Sequence, residues 1–154
     1  MNHVTETKKL NNKGFSLVEL IIVIAIMAVL IGVLAPQYLK YVEKSRKSAD
    51  LDNFQTVISA VQVYYSNPEN TLADGSYEMS VDATSGAVSA ADVIKKACTD
   101  SGVDVTKITM KSKACKGKKL TFEVASSTGK FVFTINDSTL ASDLAIGNTT
   151  AGTP

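Results

Sequence analysis

Residues 15–35 form an apolar run that opens at Phe15, closes at Ala35 and carries a single charged side chain, Glu19. Coiled as a helix at about 1.5 Å per residue, 21 residues reach roughly 30 Å, the thickness of a bilayer's hydrocarbon core. A carboxylate inside such a run costs roughly 2.5–3.5 kcal/mol on insertion scales, so it is a functional hypothesis by default. The rest of the chain is an ordinary polar-surfaced sequence, and the segment after residue 65 is too short to wrap the run. An apolar half-helix that its own subunit cannot bury must be buried by lipid or by copies of itself. Membrane insertion and self-association are therefore written into the first quarter of the sequence.

Residues 1–14 are polar, bear Lys8, Lys9 and Lys13, and lack an apolar stretch of their own, as in a removable leader. Three readings compete. A secretory signal would be cut after the run, where Val33, Leu34 and Ala35 offer small residues, but Pro36 would follow that cut. A plain signal anchor on a surface protein accounts for length and hydrophobicity and gives no reason for Glu19. The third is processing before the run, at Gly14. The charges do not orient the span: Lys8, Lys9 and Lys13 flank one side, and Lys40, Lys44, Arg46 and Lys47 the other.

Lys13, Gly14, Phe15, Ser16, Leu17, Val18 and Glu19 resemble the processing and methylation motif of type IV prepilins. The resemblance is specific over about residues 13–36, reasonable to Tyr65 and absent beyond. It implies a cytoplasmic leader, cleavage between Gly14 and Phe15 by a membrane prepilin peptidase, and an N-methylated Phe15. Glu19, fifth in the processed chain, would pair with a terminal amine, its own or a neighbour's, and set subunit register in a fibre. The protein would sit in the cytoplasmic membrane before assembly, then in a homo-oligomeric helical filament at the cell surface, built by the pilus assembly machinery. A pseudopilin of a type II secretion or competence system would share the motif. A calcium-binding loop would favour that alternative, but acids are sparse after Asp137.

Gly32 and Pro36 lie four residues apart. Proline lacks an N–H and crowds the carbonyl of Gly32, which predicts a kink or local unwinding near 32–36 and, in similar pilins, filament extensibility. Helical character continues beyond it. Leu51, Phe54, Ile58, Val61 and Tyr65 recur at spacings of three and four, and Glu43 with Lys47 and Arg46 with Asp50 suit surface pairing. Asn67 and Pro68 end the helix, so residues 15–65 are expected as one element.

The remainder, 66–154, reads as an α+β head. A loop is expected over 66–88, then a short helix capped by Ser89 and stopped by Gly102, with Val93, Ile94 and Ala97 on its apolar side. Strand patterns follow, weakly at 108–111 and clearly at 120–124 and 131–135, the last two joined by Ser126, Ser127, Thr128 and Gly129. Their apolar face should pack on the second half of the long helix, giving a small antiparallel sheet on a helical spine. From Asp137 onward small polar residues predict a poorly ordered tail with an edge strand around 140–146. Cys98 and Cys115 could pair in an exported domain or remain buried thiols.

Of 16 basic and 15 acidic residues, the leader holds three and one, so the chain without it carries a net charge of −1. The only histidine, His3, is in the leader, which weakens metal or general-base chemistry; no cofactor, metal or catalytic constellation is expected. Residues 69–104 carry seven acids against Lys95 and Lys96, whereas Lys107, Lys111, Lys113, Lys116, Lys118 and Lys119 follow without an acid before Glu123. That run is either a solvated surface, a subunit contact through Lys116, Lys118 and Lys119, or a site for nucleic acid or acidic polymers. No aromatic residue lies between Tyr77 and Phe122 to stack a base, so subunit contact is the stronger functional reading.

Overall fold

The computed structural model describes residues 14–70, 72–125 and 130–148. The leader up to residue 13, the turn at 126–129 and the end of the tail lie outside them. The element order is α1 (Leu17–Ser66), β1 (Gly75–Val81), β2 (Val88–Ala90), α2 (Asp92–Asp100), a 3-10 turn (Val105–Lys107), β3 (Lys119–Ala125), β4 (Lys130–Ile135), α3 (Ser138–Leu144) and β5 (Gly147–Asn148). The chain divides into two compact units, Met1–Leu39 and Lys40–Pro154, and α1 supplies helix to both.

In the first unit the helix is assigned without a break through Gly32 and Pro36. The expected local unwinding is therefore not a property of the isolated chain. Every described residue of this unit is exposed; Phe15 is 92% accessible and Ile21 51%. This is the one helix among the described residues that is long and apolar enough to cross a membrane.

The second unit has its own core. Phe54, Val57, Ile58 and Val61 of α1 are buried with Met79, Val81, Ile94, Leu120, Phe122, Phe133, Ile135 and Leu140. The stripe read from the sequence is confirmed, with Leu51 and Tyr65 partly buried at its ends, and Val57 and Ala60 widening it. Five strands form one sheet in the order β2-β1-β3-β4-β5. The first four pair antiparallel, while β5 runs parallel to β4. Register places Tyr77, Phe122 and Phe133 abreast on the inner face, opposite α1. The rings of Phe122 and Phe133 stack at 5.0 Å and those of Tyr65 and Phe122 at 5.9 Å, so the end of α1 is tied to the sheet by aromatic contact.

Several expectations need correction. The stretch 66–88 is not a loop: β1 and the start of β2 occupy much of it, joined by a turn in which Asp82 accepts N–H bonds from Thr84 and Ser85. Gly86 closes that turn at φ +76°, and a Cβ there would lie 1.9 Å from the Met110 carbonyl, so only glycine fits. Helix α2 starts at Asp92 behind Ala91, with no side-chain cap from Ser89, though Gly102 at φ +78° does follow its end. The weak strand signal at 108–111 yields only an isolated bridge between Ala87 and Thr109. In the described part of the tail the expected edge strand at 140–146 is instead largely helix α3, which Asp137 caps by accepting the N–H groups of Thr139 and Leu140, and the short strand β5 follows only at Gly147–Asn148.

Candidate functional site

Residues 14–16 precede the helix in non-helical, exposed chain, so the bond between Gly14 and Phe15 is open to solvent. Gly14 has no positive φ, and a Cβ on it would meet nothing within 4 Å. The fold itself thus makes no demand for glycine at this position. The same holds for Gly32.

Glu19 is in the first turn of α1, and its Oε2 accepts the backbone N–H of Ser16 at 2.8 Å. Ser16 and Glu19 have the S-x-x-E spacing of a capping box, and this bond is its glutamate half. The helix macrodipole adds a positive potential at the same place. The carboxylate therefore already has a donor within its own chain. The expectation of an amine partner leaves out this donor, although the S-x-x-E spacing announces it.

Cys98 and Cys115 are both free and buried, so the considered bridge is absent from this structure. Burial pushes the Cys98 thiol up to about 11 and raises that of Cys115 as well. Neither thiol is placed to react. The tie between the loop before β3 and the rest of the head is polar instead. Asp50, 1% exposed, accepts the N–H of Lys111 at 2.9 Å and that of Ser112 at 2.6 Å, and Glu43 accepts the N–H of Lys113. Farther along, Lys47 pairs with Asp143 at 2.6 Å, and Gln55 donates to the Leu144 carbonyl at 3.1 Å. The expected surface pairs of Glu43 with Lys47 and Arg46 with Asp50 are replaced by these contacts; only a 4.0 Å approach of Arg46 to Glu43 stays on the helix.

The lysine run is not a uniform positive face. Lys116 donates to the Thr84 carbonyl at 2.7 Å, Lys118 pairs with Asp137 at 2.7 Å, and Lys119 approaches Glu78 at 3.4 Å. These three, expected as a subunit contact, are engaged within their own subunit. The Lys118 ammonium, followed by the Leu140 N–H, holds the Asp137 carboxyl below its ordinary range. Among the described residues no group of three or more histidines, cysteines or acids is gathered to hold a metal.

Residues 9–35 match the family model described as the prokaryotic N-terminal methylation motif. The chain is 30% identical to fimbrial protein EcpC of Eikenella corrodens over 143 residues, 92% of this chain and 94% of that protein. The chain belongs to the type IV pilin family. Two further relatives of this pilin are the type IV major pilin PilA of Myxococcus xanthus and the type IV major pilin PilE1 of Neisseria gonorrhoeae. Identity is 31% with the first, covering 38% of this chain and 26% of the relative, and 37% with the second, covering 51% and 42%. No solved structure matches this pilin.

Proposed function

We propose that this pilin is a structural subunit of a type IV pilus, cut between Gly14 and Phe15 by a prepilin peptidase and N-methylated at Phe15. Before assembly the apolar half of α1 holds it in the cytoplasmic membrane; afterwards the same surface packs against copies of itself in a filament at the cell surface. The observation that carries this reading is that α1 leaves the side chains of residues 17–39 exposed, nearly all apolar, with Glu19 the single charge among them. The exposed, helix-free chain at 14–16 and the absence of an internal need for Gly14 support processing at that bond. The names of the relatives, fimbrial protein and type IV major pilins, support the pilus over a secretion pseudopilin.

Cleavage creates an amine one residue before Ser16, and Glu19 then changes donor, from the Ser16 N–H to a terminal amine. In a dry fibre core that exchange gains a charge-assisted bond, whereas a carboxylate deprived of its partner there costs roughly 3–5 kcal/mol. Filaments sheared from cells and sequenced should begin with N-methylphenylalanine at Phe15. The Glu19→Ala chain should be inserted and processed but yield few filaments. Wild-type filament numbers from that variant would remove Glu19 from the assembly step, and filaments retaining residues 1–14 would refute the cut.

A further inference from the structure

Two surfaces of the head have charges that their own subunit leaves unused. One is a groove of about 750 Å³ between the outer side of α1 and the end of α2, lined among others by Asp52, Thr56, Ser59, Val63, Asp100 and Val103. Asp52 and Asp100 are exposed, and neither forms an ion pair among the described residues. The other is the loop at 111–113, whose exposed Lys111 and Lys113 likewise have no carboxylate partner there. This loop does not wave freely. All three of its backbone N–H groups end on Asp50 or Glu43 of α1, so the two ammonium groups are carried by a fixed platform. A pre-ordered donor loses less entropy on docking than a mobile one.

Asp50 faces the lysine loop, and Asp52 stands two positions on, about 200° around the helix axis. The two surfaces thus point away from each other and cannot satisfy one another within one chain. Complementary patches on different sides of a subunit make a heterologous contact, which propagates into an open array instead of closing as a dimer. We propose that the platform of Lys111 and Lys113 on one subunit docks in the groove of Asp52 and Asp100 on a second copy, forming a head-to-head contact of the filament. The inference rests on the pilus-subunit reading above and moves the contact away from Lys116, Lys118 and Lys119, whose ammonium groups each have a partner in their own subunit.

The test uses the full chain in cells. A variant carrying Lys111→Glu and Lys113→Glu, and one carrying Asp52→Lys and Asp100→Lys, should each lower sheared filament yield roughly tenfold, because like charges then face each other across the contact. Combining all four substitutions should restore yield. A chain carrying Lys113→Cys and Asp100→Cys should give a ladder of disulfide-linked multimers from intact filaments on a non-reducing gel. Full yield from both reversals, or normal filaments without a ladder, overturns the contact and leaves the subunit reading standing. Loss of DNA retention by the lysine variant with filament yield unchanged overturns it in favour of a nucleic-acid surface. Absence of any filament from the unmodified chain refutes the subunit reading, and this contact with it.

Discussion

Asp50 shows how little a residue's type reveals of its work. In sequence it is one of several acids on the polar side of a helix; in the fold it is 1% exposed and fixes two backbone N–H groups of a loop 61 and 62 residues away. Removing it strands both donors in a buried site, each at about 1–3 kcal/mol. Asp50→Ala should therefore destabilise the head by about 3 kcal/mol in denaturant unfolding of the detergent-solubilised chain. Arg46→Ala, which removes a half-exposed contact of 4.0 Å, should cost less than about 0.5 kcal/mol. Equal losses for the two would show that the buried hydrogen bonds add nothing beyond surface charge. Glu19 makes the complementary point: its charge was legible at once, while its own-chain donor had to be seen.

At the scale of elements, α3 depends on one carboxylate. Asp137 caps the helix and pairs with Lys118, so Asp137→Ala should cost about 1–2 kcal/mol and loosen Ser138–Leu144, read as faster amide exchange there. Its carboxyl titrates below the ordinary value of 3.8, as do those of Asp82, held by Ser85, and Asp104, held by Thr106. The unfolded chain thus takes up these protons before the folded one does. The stabilisation is complete above pH 3.8 and is lost as pH falls through the depressed values. Acid titration should melt α3 and the turn at 82–86 in that window, and Asp137→Ala should flatten the response at α3. The long helix, its apolar stripe and the hairpin strands β3 and β4 were legible because each repeats one period over many residues. Strands β1 and β2 were not. In β1 Tyr77, Met79 and Val81 do alternate with Ser76, Glu78 and Ser80, but so short a run is hidden between turn-forming residues, and pairing of β1 with β3 over residues 75–80 makes the strand. Helix α3 was masked by a small polar composition whose informative residue is its cap.

Across the whole molecule, the division at residue 39 separates a unit whose described residues are all exposed from one that holds the buried core. A chain starting at Lys40 should therefore remain soluble and monomeric without detergent and keep the unfolding midpoint of the head, while the full chain should need detergent. Aggregation of the shortened chain, or a midpoint shifted by several degrees, would mean that the apolar half also supports the head. The processing motif was fully legible from the sequence. Which lysines of the run have partners in their own head was not, because a run of like charges does not disclose which members are already paired.

The two buried thiols carry a consequence for how such a subunit matures. Because carboxylates gripping backbone amides close the described head while both thiols stay buried and unbridged, its closure draws on no sulfur bridge and so on no oxidant.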